Sequence, residues 1–155
     1  QRFDGRVSLG LGGTASLEDV SLQLDVRFLR NLLPLYVGGQ VQVTVPKALI
    51  DNRELSAVEA RIVWQDGVWA ARQGDVALGN YALDVSGSEG AVTGSVITLS
   101  GPLVVAGDLA LEGRDWQVDL EISGAAVANE GLRPSLMLFG VPNDKGFDVV
   151  LDGQL

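Results

Sequence analysis

Apolar residues alternate with polar ones in segment after segment of this chain. In five segments every second residue is apolar: Val20–Val26, Val41–Val45, Tyr81–Val85, Trp116–Ile122 and Phe147–Leu151. A period of two is typical of β-strands that bury one face, whereas helices repeat near 3.6 residues. The pattern therefore predicts strands with one face in the core.

Glycine-centred turn sequences separate these segments. They are Asp66-Gly67, Gly87–Gly90, Glu112–Asp115 and Pro142–Gly146. Gly supplies positive φ, and Asn or Asp hydrogen-bonds its own backbone, so we predict hairpin connections. With 20 Gly in the chain, the fold class is all-β: an antiparallel, strongly twisted or curved sheet, or a sandwich, of glycine-flanked strands. Only Phe28–Leu33 and Leu132–Phe139 indicate short helical turns.

The segment Trp64-Gln65-Asp66-Gly67-Val68-Trp69 predicts a two-residue hairpin. If Asp66-Gly67 forms a type I′ turn, Trp64 faces Trp69 as a cross-strand pair. Such a pair either caps the core or offers a stacking surface for a ligand or sugar. Trp64 and Trp69 are therefore the candidate interaction or stacking residues.

Composition indicates one folded domain over residues 1–155. Apolar types make up 46% of the 155 residues, and the 11 basic and 20 acidic residues give a net charge of −9. The basic residues are scattered singly, whereas binding to a phosphate backbone needs clustered cations. Nucleic acid is therefore not expected as a partner. With no Cys, disulfides say nothing about the compartment.

Few residues offer catalytic chemistry. The chain has no His and no Cys, which excludes Ser-His-Asp, Cys-His and zinc chemistry. Lys47 and Lys145 lie beside turn-like Pro or Asn-Asp sequence, where a solvated Lys is expected. We expect no cofactor, no metal and no catalytic residue.

Paired carboxylates remain the one catalytic alternative. Asp119 and Glu121 share one face of a predicted strand, as do Asp148 and Asp152, and the alternation puts all four opposite the core. No D-x-D-x-D-G calcium loop occurs. Gly10–Ala15 matches the dinucleotide fingerprint G-x-G-x-x-A, but a predicted strand follows it instead of the required helix. We interpret it as a glycine-rich turn.

No membrane segment is evident in the sequence. No stretch approaches about 18 consecutive apolar residues, and no export signal stands at the start. The chain begins at Gln1 without an initiator Met, which suggests that an upstream anchor or signal was removed.

One block carries a family resemblance: Gly101-Pro102-Leu103-Val104-Val105-Ala106-Gly107-Asp108-Leu109-Ala110-Leu111. Around it, in order, stand Ile62-Val63-Trp64, the L-G-x-Y-x-L element Leu78–Leu83, and a terminal G-x-L at Gly153–Leu155. Together they resemble the type II secretion system protein N family. The resemblance covers residues 58–155 well and residues 1–55 only loosely.

The resemblance implies a non-catalytic component of the bacterial type II secretion machinery. The chain would be a periplasmic domain anchored to the inner membrane through an N-terminal helix missing from this sequence. Its partners would be other secretion components: the inner-membrane platform, the connector or the periplasmic domains of the secretin. The family brings no catalytic residues.

Two other functional classes stay open. A curved sheet that does not close would leave a trough lined by Val, Leu and Ala, which favours a lipid- or hydrophobe-binding domain. An enzyme that uses the paired carboxylates is the last alternative.

Overall fold

Ten antiparallel strands form a single sheet in the computed structural model, which describes residues 2–10, 14–25, 37–51, 54–71 and 74–154. The strands are β1 Arg2–Leu9, β2 Ala15–Asp25, β3 Val37–Asp51, β4 Glu54–Ala71, β5 Gly74–Ser88, β6 Ala91–Ser100, β7 Val104–Glu112, β8 Asp115–Ser123, β9 Val141–Pro142 and β10 Gly146–Gln154. Their spatial order is β1-β2-β3-β4-β5-β6-β7-β8-β10-β9. The sheet is open, because β1 and β9 lie at opposite edges.

The alternating apolar residues line up in rows across the strands. One row runs through paired positions from β2 to β10 and consists of Leu22, Val43, Ile62, Leu83, Val96, Gly107, Leu120 and Val149. Since side chains two residues apart share a face, further apolar rows lie parallel to it. We call this side of the sheet the inner face. The five predicted strands are confirmed, except at Val26, which lies outside the described residues.

Most of the predicted turns are confirmed. Glu89 and Gly90 connect β5 to β6 with φ of 52° and 83°, and Gly113, at φ 61°, connects β7 to β8. Asn143 closes the β9–β10 turn: its backbone N–H donates to the Gly146 carbonyl, and its side-chain oxygen accepts from the Lys145 and Gly146 N–H groups. Strand β2 begins at Ala15, as expected, whereas residues 11–13 of the predicted glycine-rich turn lie outside the described residues.

The hairpin predicted at Asp66-Gly67 is wrong. Strand β4 runs straight through this pair, with Trp64 opposite Tyr81 and Gly67 opposite Gly79. The extra residue forms a β-bulge in which Asp66 adopts φ 51° and its N–H donates to the Asn80 side chain at 2.7 Å. A bulge and a tight turn use the same positive-φ residues, so the Asp-Gly signal does not distinguish them.

A helix and a 3-10 turn cover one end of the inner face. Helix α1, Arg133–Phe139, and the 3-10 turn, Ala125–Ala128, lie between β8 and β9. The helix confirms the short turn predicted at Leu132–Phe139, whereas Phe28–Leu33 lies outside the described residues. The core cluster comprises the buried residues Leu78, Tyr81, Leu103, Ile122, Ala126, Leu132, Leu136, Phe147 and Val149. Arg133 lies over the Phe147 ring, 5.5 Å from its centroid.

The rest of the inner face has no second layer among the described elements. Strand β6 makes its extensive contacts with β5 and β7, yet Val92 and Val96 are half-buried while Thr93 and Ile97 are exposed. Neighbouring side chains shield one another on a concave surface, so we infer that the sheet curls toward the inner face. The core cluster marks the core end of the sheet. The β5–β6 and β7–β8 turns mark the opposite, hairpin end.

Lys47, expected to be solvated, is exposed. It lies in β3, where a register shift between Thr44 and Lys47 accommodates Pro46; Pro is tolerated at such irregularities because it cannot donate to the ladder. Of the helices in the described part of the chain, none is long and apolar enough to cross a membrane.

Candidate functional site

Two of the motifs that carry the family resemblance meet at the core end. Gly79, at φ 134°, and Gly101, at φ 128°, lie backbone against backbone, so a Cβ on Gly101 would collide with Gly79 Cα. The Leu103 N–H donates to the Leu78 carbonyl at 3.1 Å. The L-G-x-Y-x-L and G-P-L-x-V elements therefore build one junction between β5 and the β6–β7 connection.

Tyr81 holds this junction from inside. Its hydroxyl lies 2.9 Å from the Leu78 carbonyl and 2.8 Å from the Leu103 carbonyl, to which it donates. Burial raises the pKa of Tyr81 from 10.0 to about 12, because the phenolate would lose its hydration. Tyr81 is therefore a neutral structural donor.

The carboxylates considered for acid–base chemistry lie on the outer face. Asp119, Glu121, Asp148 and Asp152 are all exposed, as the alternation predicts. Within the described ranges, no three acidic side chains gather closely enough to hold a metal ion. Lys47 and Lys145 are also exposed. The structure brings none of these groups together in a cleft.

Trp64 and Trp69 are not a cross-strand pair. Both lie in β4 and pack, half-buried, against the core cluster. Trp64 contacts Tyr81, with ring centroids 5.5 Å apart, and its indole N–H donates to the Gly38 carbonyl at 3.1 Å. Trp69 lies opposite Val37 and Val76. A stacking role for the two residues stays a prediction.

An apolar groove of about 230 Å³ opens on the inner face next to the core cluster. The groove is lined by Ile62, Trp64, Tyr81, Ala82, Leu83, Val96, Leu103 and Val105. It lies next to the junction of the L-G-x-Y-x-L and G-P-L-x-V elements, which we call the motif junction, and Tyr81 and Leu103 belong to both the groove and the junction. Sequence reasoning allowed a trough but did not place it, because alternation identifies an apolar face without showing what covers it.

A second apolar surface lies at the β9–β10 edge of the sheet. Its members are exposed side chains of α1, β9 and β10: Met137, Leu138, Phe139, Val141 and Val150. Leu138 is 79% exposed and Val141 is 70% exposed. We call these five residues the edge patch. Its sequence signal is the run Leu136–Phe139, which is more apolar than a helix with one buried face requires.

Strand β10 has an unpaired stretch beside this patch. It pairs with β8 along its whole length, but β9 covers only Phe147 and Asp148 on its other side. Since the Gly146 carbonyl points toward β9, alternation turns the backbone groups of Val150 and Asp152 toward the same open side. No described residue pairs with them. An open strand edge beside exposed apolar residues is typical of a β-augmentation site.

One comparison with known proteins gave a match. The model of a family described as "Type II secretion system (T2SS), protein N" matches residues 1–150. The match extends over the first 55 residues, which carried the resemblance only loosely. Searches of curated proteins and of solved structures found no match.

Proposed function

Since the chain belongs to the type II secretion system protein N family, we propose that it is a non-catalytic interaction domain of that machinery. It supports the export of folded proteins across the outer membrane. In this proposal it lies in the periplasm, anchored to the inner membrane by a segment outside this sequence. Family membership makes it a secretion component that works with other type II secretion components.

The edge patch and the open stretch of β10 carry the interaction half of the proposal. Several exposed apolar side chains near one another at a sheet edge mark a contact site on a soluble domain. The free backbone groups of Val150 and Asp152 offer hydrogen bonds to an added strand. The partner is a strand from the inner-membrane platform, the connector or a periplasmic domain of the secretin.

Substitution of Leu138 tests this surface. Leu138→Lys removes a highly exposed apolar side chain and places a cation near the C-terminus of α1, where the helix dipole favours it. The fold should therefore tolerate the change. The matched control is Leu99→Lys, because Leu99 is 48% exposed and lies on β6, away from the edge patch.

The measurement is secretion by the host bacterium with the full-length protein replaced by each variant. We expect Leu138→Lys to lower the amount of a type II substrate in the medium severalfold and Leu99→Lys to leave it unchanged. A photocrosslinker at position 138 should capture another secretion component. Normal secretion by both variants would rule out the edge patch, and normal secretion without the protein would rule out the proposed function.

A further inference from the structure

The apolar groove has no hydrogen-bonding group to spare. The only polar side-chain atoms of its lining are the Trp64 indole N–H, which donates to the Gly38 carbonyl, and the Tyr81 hydroxyl, which donates to the Leu103 carbonyl. The backbone of Val105 is satisfied as well, because the Thr98 hydroxyl bonds both its N–H and its carbonyl at 2.7 and 2.8 Å. A peptide in this groove would leave its own amides unpaired. A hydrocarbon chain would not.

The inner face is long enough for one acyl chain. From Tyr81 to Gly87 the strand advances six residues, or roughly 20 Å at about 3.3 Å each. One leaflet of a bilayer is roughly 15 Å of hydrocarbon, half of the core thickness. The apolar rows continue from the groove toward the hairpin end through half-buried Val85, Val92 and Leu109. A chain that starts at Trp64 would therefore reach the hairpin end.

The charge at the hairpin end indicates which headgroup fits. The exposed residues of the β5–β6 and β7–β8 turns include Glu89, Glu112 and Asp115 together with Arg114, and the whole chain carries a net charge of −9. The negative charge of these residues repels anionic headgroups and attracts an ammonium group.

We propose that the inner face holds one acyl chain of a phospholipid with an amine headgroup, such as phosphatidylethanolamine. The end of the tail lies in the groove against Trp64, Leu103 and Val105, and the headgroup lies at the hairpin end. This activity goes beyond the proposed function and rests on a different surface from the edge patch.

The first test labels the unmodified chain. The probe is lysophosphatidylethanolamine with a diazirine at the end of its tail, and the labelled residues are mapped by mass spectrometry. We expect saturable labelling of groove residues, competed by unlabelled lysophosphatidylethanolamine and only weakly by lysophosphatidylglycerol. Absence of saturable labelling, or labelling confined to the edge patch, would overturn the proposal, and equal competition by the anionic lipid would overturn the choice of headgroup.

A pair of neighbouring substitutions tests the position of the tail. Val96 faces the groove, whereas Ile97 is exposed on the outer face of the same strand. Val96→Trp should fill the groove and weaken lipid binding about tenfold or more, the equivalent of about two methylenes left unburied. Ile97→Trp should bind as the unmodified chain does. Equal lipid affinity of the two folded variants would contradict the proposal. We expect no relation between the lipid affinity of these variants and the amount of secreted substrate.

The labelling experiment decides the question even if Val96→Trp does not fold, since it needs no substitution. In the same experiment, a synthetic peptide with a strand-forming sequence is added as a competitor of the lipid probe. Displacement of the lipid probe from the groove by that peptide would show that the groove binds protein and would overturn the proposal. We expect the peptide to leave labelling unchanged.

Discussion

At the scale of single residues, Tyr81 joins the motif junction to the groove. Its hydroxyl is the only side-chain donor to the Leu103 carbonyl among the described hydrogen bonds, while the Leu78 carbonyl also accepts from the Leu103 N–H. Tyr81→Phe therefore leaves the Leu103 carbonyl without its side-chain hydrogen-bond donor. We expect a loss of about 1–2 kcal/mol in the free energy of unfolding, measured by urea denaturation at neutral pH.

The same residue predicts a pH dependence. In the folded chain the pKa of Tyr81 is raised to about 12 from 10.0, so the unfolded chain loses the phenolic proton first as the pH rises. The contribution to stability is present in full below pH 10 and is lost between 10 and about 12. Urea unfolding over that range should show a steeper decline for the unmodified chain than for Tyr81→Phe. Parallel curves would contradict the assignment.

Gly101 and Gly74 distinguish two reasons why a position requires glycine: a positive φ, and a lack of space for a Cβ. Both have positive φ, 128° and 124°, but a Cβ at Gly101 would collide with the backbone of Leu78 and Gly79, whereas at Gly74 it would meet no described atom within 4 Å. Gly74→Ala should cost only the conformational strain, about 1–2 kcal/mol. Gly101→Ala should cost clearly more in the free energy of unfolding. Equal losses would mean that the glycines of the motif junction are needed for φ alone.

At the scale of secondary structure, alternation predicted β2, β3, β5, β8 and β10 because each has one apolar face. The Asp66-Gly67 signal failed because β3 and β5 pair with both halves of β4 and hold it straight, an effect of long-range contacts that a local pattern does not contain. The helix was predictable from its apolar run. Its exposed side, Leu138, was not, since exposure depends on where β9 and β10 end.

Strand β10 offers a direct test of edge geometry. The Val150 N–H points to the open side, and the Leu151 N–H points to β8, according to the hydrogen bond that closes the β9–β10 turn. Pro removes the donor in either case. Val150→Pro should therefore leave thermal stability closer to that of the unmodified chain than Leu151→Pro, which breaks the ladder. The reverse order would show that the assigned directions are wrong.

At the scale of the whole molecule, the core cluster lies at one end of a sheet that has no second layer elsewhere among the described elements. The core cluster takes Leu78 from β5, Leu103 from the β6–β7 connection and Ile122 from β8, and strands β5 to β8 extend from it toward the hairpin end. Sequence alone did not distinguish this arrangement from a sandwich, because both bury one face of every strand. The inner-face side chains at the hairpin end are only half-buried, whereas the second sheet of a sandwich would bury them, and this distinguishes the two arrangements.

This arrangement predicts a gradient of protection along individual strands. Amide hydrogen exchange depends on the free energy of local opening. Among the described elements, the hairpin half of β5 to β8 has only strand neighbours to stabilise it, whereas the core half packs against the 3-10 turn and α1. We expect peptides of Val85–Gly94 and Leu109–Val118 to exchange faster than peptides of Leu78–Ala82 and Glu121–Ser123 under native conditions. Uniform protection would mean that the sheet opens as one unit.

If a phospholipid tail covers the inner face, saturating lysophosphatidylethanolamine should slow exchange more in the hairpin half than in the core half, because protein already covers the core cluster beside the groove.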